Sequence, residues 1–168
     1  MTARQDNSQT FWDEHYHRHP DLWSGAPNAV LVDETRELSP GSALDLGCGE
    51  GADAIWLARR GWQVTAVDIS PIALGRAAER ARAAGVTHRI TCAQHDLDEG
   101  FPAGSFDLVA AHYLHSRQQR QHPRMLERAA RAVAPGGSRL LVPATPRSLR
   151  GHGTRTPSSQ PQPKSWAP

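Results

Sequence analysis

The sequence predicts an α/β domain built on a parallel β-sheet. Two observations carry this reading. From Ser42 onward, short apolar runs alternate with helical patterns. The first of those runs feeds directly into a glycine-rich turn, Gly47-Cys48-Gly49-Glu50-Gly51, with a helical pattern behind it. At 168 residues the chain has the length of one domain with a core of its own.

The elements follow in order. Ala43–Leu46 reads as the first strand. The helix after the turn runs through Ile55, Trp56, Leu57 and Ala58, and Gly61 is placed to end it. Gln63–Asp68 is the second strand, with Val64, Ala66 and Val67 apolar. Ser70-Pro71 opens the second helix, serine as N-cap and proline at the first helical position. Alanines 73, 77, 81 and 84 give this helix a stripe of small residues that can lie close against a sheet, and Gly85 stops it. Arg89–Ala93 is a weaker third strand and Phe106–Ala111 the fourth. The next helix starts at Pro123 and buries Met125, Leu126, Ala129 and Val133. Pro135-Gly136-Gly137 then turns the chain into a fifth strand, Arg139–Val142.

Outside these elements the composition changes. Residues 1–40 hold a short amphipathic helix around Phe11–Tyr16 and a lead-in to the sheet, residues 41–142 form the α/β domain, and residues 143–168 form a proline-rich basic tail. The tail lacks acidic residues and any strand or helix period, so it is expected to be disordered. Every acidic residue lies at or before Glu127, whereas Arg147, Arg150, Arg155 and Lys164 follow residue 142. The body is therefore slightly acidic, which argues against a nucleic-acid binder. Two cysteines make no disulfide framework, the polar stretch Met1–Thr10 lacks the apolar run expected of a signal peptide, and no apolar run approaches membrane length. A cytoplasmic protein with no membrane partner is expected; the oligomeric state is not legible.

Two turns carry the chemistry. Glycines between a strand and a helix let the backbone approach a ligand where a Cβ would clash, and the helix start supplies unpaired N–H groups. The alternative is a tight turn without a ligand. Asp68 ends the second strand, 19 residues beyond Gly49, and a carboxylate there can accept from both hydroxyls of a ribose. Read alone, it would be a capping residue before Ser70-Pro71.

Asp45-Leu46-Gly47-Cys48-Gly49 resembles the first motif of class I S-adenosylmethionine-dependent methyltransferases, and Val67-Asp68-Ile69-Ser70 resembles the second. His95-Asp96-Leu97 resembles the adenine-binding segment. Phe106-Asp107-Leu108-Val109 resembles the fourth strand, and Leu126 to Gly137 the helix and turn before the fifth. The resemblance spans about residues 40–142 and implies a Rossmann-like, doubly wound, mostly parallel sheet of order 3-2-1-4-5. It implies S-adenosyl-L-methionine as cofactor. Gly47, Cys48 and Gly49 would lie under its methionine part and Asp45 would contribute to its ammonium. Asp68 would hold the ribose, Ile69 would pack on the adenine, Asp96 would accept from the adenine amino group and Leu97 would address the ring through its backbone. Ala111 and His112 would border the methyl group.

The implied reaction is methyl transfer by in-line displacement. The stretch Phe11–Asn28 is similar to the lid of bacterial tellurite-resistance and thiopurine methyltransferases, which implies a small-molecule acceptor. Family members continue after the fifth strand with a helix and two antiparallel strands. The tail stands in their place, so a truncated or frameshifted chain that binds cofactor but turns over weakly is the alternative. A nicotinamide-binding domain is the other rival, because Gly47-x-Gly49-x-x-Ala52 satisfies the loose dinucleotide fingerprint. Asp45 would then sit beside a pyrophosphate, Asp96 would have no role, and the Pro135-Gly136-Gly137 turn would be foreign.

Among the histidines, His112 and His115 are the candidates for catalysis, three residues apart after the fourth strand; a polar loop with one satisfied histidine is the alternative. His15, His17 and His19 alternate without a second cluster to complete a metal site, so no metal is expected. Cys48 reads as a small filler and Cys92 as a core strand residue.

Overall fold

The computed structural model describes residues 5–20, 25–112, 123–136 and 139–141. Its five strands are β1 (Ser42–Leu46), β2 (Gln63–Asp68), β3 (Ile90–Gln94), β4 (Leu108–Ala110) and β5 (Arg139–Leu141). They form one sheet of order β3-β2-β1-β4-β5, and every adjacent pair is parallel. The helices are α1 (Gln5–Arg18), α2 (Ala29–Thr35), α3 (Ala52–Arg59), α4 (Pro71–Ala83) and α5 (Pro123–Arg131). This is the doubly wound order expected.

Alternate residues of each strand point to opposite sides, and β1, β4 and most of β2 are buried on both faces, whereas β3 is half-buried to exposed. Ala43, Val64, Ala66, Leu108 and Ala110 join Leu31, Ala54, Leu57, Ala58 and Trp62 in one core. Leu44, Leu46, Val67, Val109 and Ala111 join Phe106, Ala129 and Ala132 in the other. The strand residues are small, and α4 matches them: Ala73, Ala77 and Ala81 are all buried. Ser70 caps that helix by accepting from the Ala73 N–H at 3.2 Å, an arrangement worth about 1 kcal/mol.

Two strands differ from the sequence reading. The third begins one residue later, because Thr87–Arg89 close a 3-10 turn, and it ends at Gln94. The fourth is shorter at both ends. Phe106 leaves the β1 ladder to pair with Val133: its N–H donates to Ala132 O at 2.8 Å and its carbonyl accepts from the Ala134 N–H at 2.9 Å. Asp107 turns its carboxylate back onto Ser42, accepting from the backbone N–H at 2.8 Å and the hydroxyl at 3.0 Å. These bonds hold the Asp107 carboxyl below its ordinary value. Ala111 falls beyond the ladder but stays buried.

The helix expected around Phe11–Tyr16 is present and longer than that stretch. α1 is fourteen residues long and packs on α4. α2, capped by the Asn28 side chain on the Val30 N–H, was not legible: about two turns carrying buried Leu31 and Thr35 show no helical period. The expected tail and Val142 lie outside the described residues. Among the described residues no helix is long and apolar enough to cross a membrane.

Candidate active site

Parallel order places the carboxyl ends of β1, β2 and β4 side by side, and the candidate residues sit there. β1 ends on Asp45-Leu46 and enters the glycine turn with Gly47, Gly49 and Gly51 all at positive φ (69°, 53° and 83°). Only residues without a Cβ take such a run without strain. The turn is fastened to β2 by the Cys48 N–H, which donates to Val67 O at 2.9 Å. Gly51 also lets two helices meet: a Cβ there would stand 2.9 Å from that of Ala77.

Asp68 links both turns. Its Oδ2 accepts from the Gly49 N–H at 2.9 Å and its Oδ1 from the Ser70 N–H at 2.9 Å. The capping and binding readings of this residue are thus not exclusive, since each carboxylate oxygen keeps a further lone pair. Burial pushes its carboxyl up, and the backbone bonds from Ser70 and Gly49 pull it back in part.

Asp45 is the electrostatic centre of the site. It is buried, and its Oδ2 has no hydrogen-bond partner among the described residues. Burial first, and then the charges of Asp53 and Asp68, raise its carboxyl well above the ordinary value. The same burial, with Asp45 and Asp68 nearby, pushes the Cys48 thiol up, which makes it a protonated filler and not a nucleophile. A pit of carboxyl groups with one oxygen unsatisfied suits a cationic ligand group.

The remaining predicted residues follow the ends of β2, β3 and β4. The Ile69 carbonyl accepts from Gln94 Nε2 at 3.1 Å, and the His95 N–H donates to Asp68 O at 3.1 Å, so the ends of β2 and β3 are held together. Asp96 closes the next turn, its Oδ1 accepting from the Asp98 N–H at 3.0 Å, and Leu97 packs into the Leu44–Val67 core. The Ala111 side chain also faces that core, so it can border a ligand only through its backbone. His112 is buried beside Asp53, with Nδ1 2.8 Å from Asp53 Oδ2. His115 lies outside the described residues.

Several contributors were missed by sequence reasoning. Asp53, in the first turn of α3, holds both His112 and the Asn28 N–H, the latter at 2.6 Å. Glu50, buried between two glycines, pairs with Arg76 at 2.9 Å and Arg80 at 2.6 Å. Arg76 also donates to Tyr16 O at 2.9 Å, and the Ser70 hydroxyl donates to Asp13 at 2.5 Å, so α1 is bolted to α4 at the edge of the site. The one local signal was a charged residue inside a glycine turn; the partners are too distant in sequence to foresee. The His15 and His19 rings meet at a tilt of 40° at the end of α1, and no metal-ligating group of three gathers among the described residues.

Comparisons with known proteins bear on the family and the fold. Residues 43–137 match the model of a methyltransferase domain family. The chain is 36% identical over 107 residues to ribosomal RNA small subunit methyltransferase C of Alcanivorax borkumensis, covering 61% of this chain and 32% of that protein. It is 38% identical over 109 residues to 27-O-demethylrifamycin SV methyltransferase of Amycolatopsis mediterranei, covering 60% and 39%. An S-adenosylhomocysteine-bound SAM-dependent methyltransferase from Geobacter sulfurreducens shares the fold, with a TM-score of 0.60 at 23% identity over 73% of this chain and 51% of that one. The chain spans between about a third and a half of the length of the curated relatives it matches. With more than half of its residues under that family model, the chain belongs to the methyltransferase domain family.

Proposed function

We propose that this chain binds S-adenosyl-L-methionine at the carboxyl ends of β1, β2 and β4 and transfers its methyl group to a small-molecule acceptor. One observation carries the reading: Asp45 Oδ2 is buried and unpartnered beside a turn of three positive-φ glycines. That is a carboxylate in want of a cation, next to backbone that a ligand can approach closely. The ammonium of a methionine moiety is such a cation, with Gly47, Cys48 and Gly49 passing beneath it. Asp68 uses its remaining lone pairs on the ribose, Ile69 lies against the adenine, and Asp96 and Leu97 meet its edge. Residues 41–142 are the unit that does this.

The cofactor supplies an electrophilic methyl group on a sulfonium. The chain supplies position, the exclusion of water, and a negative field that suits a cationic donor. A pyrophosphate would be repelled by Asp45, Asp53 and Asp68, which disfavours a dinucleotide. The small-molecule reading is supported by the slightly acidic body and by α1 packed along α4 at the edge of the site. The finer likeness to tellurite-resistance and thiopurine enzymes rests on the Phe11–Asn28 stretch, of which residues 21–24 lie outside the described residues.

Calorimetry with S-adenosylmethionine, S-adenosylhomocysteine and NAD tests the reading. Binding of the first two in preference to NAD is expected, and tighter NAD binding would overturn it.

A further inference from the structure

Beyond cofactor binding, we infer that His112 and Asp53 form a proton-accepting pair that makes hydroxyl compounds the acceptors of this site. The inference rests on the methyl-transfer reading above and names its acceptor class. His112 follows the carboxyl end of β4. Ala110 pairs with Asp45, and two residues on, His112 meets Asp53 in the first turn of α3, the helix that the glycine turn opens. Along β4, Leu108 and Ala110 face the α3 side of the sheet, and His112 continues that alternation toward Asp53 on α3. Its ring is 3% exposed.

Nδ1 lies 2.8 Å from Asp53 Oδ2, and a carboxylate only accepts. Nδ1 therefore carries the hydrogen, and Nε2 presents a lone pair. Nε2 is buried and has no hydrogen-bond partner among the described residues. An unpartnered buried imidazole nitrogen costs stability, and it is retained here beside the proposed methyl donor. Asp53 cannot swing away, because its other oxygen holds the Asn28 N–H at 2.6 Å. The pair therefore meets the geometric requirements of a general base with an orienting carboxylate.

The acceptor oxygen forms its bond to the methyl carbon while its proton passes to Nε2. The C–S bond breaks with its electron pair left on sulfur, which departs as a neutral thioether. The imidazolium is stabilised by the Asp53 carboxylate until its proton returns to solvent. A thiol, more acidic than a phenol or alcohol and strongly nucleophilic through its thiolate fraction, has less need of such a base, whereas a phenol or alcohol depends on one.

The test uses the full chain in two measurements. Nitrogen-15 NMR of the histidine-labelled protein loaded with S-adenosylhomocysteine should show His112 as the Nδ1–H tautomer, and Asp53→Asn should shift it toward Nε2–H. Methyl transfer to phenol and to thiophenol is then followed against pH. His112→Gln should lower the phenol-to-thiophenol rate ratio about 100-fold, remove the acidic limb of the phenol profile, and respond to added imidazole. An Nε2–H tautomer in the wild type, equal losses on both acceptors, or no transfer to phenol while S-adenosylhomocysteine binds would each overturn the proposal. Failure to bind S-adenosylhomocysteine at all would instead strike the cofactor reading.

Discussion

Asp45 is a carboxyl held away from water between two other acids, and its raised pKa makes a directional claim about stability. The folded state holds that proton more tightly than the unfolded chain does. The group's stabilising contribution is therefore complete below the ordinary carboxyl range and is lost as pH rises through the raised folded value. Asp45→Asn, which mimics the protonated form, should match the wild type at low pH. At neutral pH it should be more stable by about 1 kcal/mol while binding cofactor more weakly. Urea unfolding across pH, with calorimetry alongside, checks both halves; a variant less stable than wild type at neutral pH refutes the claim. Asp68 makes the opposite trade. Asp68→Ala strands the Gly49 and Ser70 N–H groups, so about 1–3 kcal/mol of stability should go together with about 1.5–3 kcal/mol of cofactor affinity. Loss of stability with an unchanged dissociation constant would leave Asp68 as a clasp alone.

Between elements, the tightest demand is Gly51, where the start of α3 meets the middle of α4. Gly51→Ala brings a Cβ to 2.9 Å from Ala77 on a backbone at φ 83° and should cost about 2–3 kcal/mol. Gly85→Ala, at φ 72° with nothing within 4 Å, isolates the backbone share and should cost about 1 kcal/mol. Thermal unfolding of the two variants gives the difference directly. These positions also show what the sequence could and could not tell. Gly47–Gly51, Ser70-Pro71 and the alanines of α4 encode their conformations locally, so the strands, the helices from α3 onward and the two turns after β1 and β2 were legible. The Phe106–Val133 bridge that shortens β4, the Glu50–Arg76 pair and the Asp53–His112 pair join residues 26 to 59 apart, and no period or spacing announces them. α2 went unseen because seven residues are too few to display an amphipathic face.

For the molecule as a whole, ligand and fold are linked by mass action. S-adenosylhomocysteine at about 100 times its dissociation constant should add about 2.7 kcal/mol to the unfolding free energy, and NAD at equal concentration should add much less. A denaturant titration with each ligand measures this, and equal shifts would remove the selectivity claimed for the acidic pit.

The order of the sheet has a consequence for the chain while it is being made. β1 carries Asp45, yet it lies in the middle, and one of its two neighbours is β4, whose clasp from Asp107 to Ser42 spans 65 residues. During synthesis β1 and β2 can pair early, but one long side of β1 stays bare until about residue 110 has emerged from the ribosome. α1, although made first, has nothing to dock on until α4 exists. The acidic pit around Asp45 thus begins at the central β1–β2 pair and is closed late, when β4 and α1 come in beside it. A nascent chain stalled before β4 should bind no cofactor and should expose an unpaired strand for a chaperone to hold.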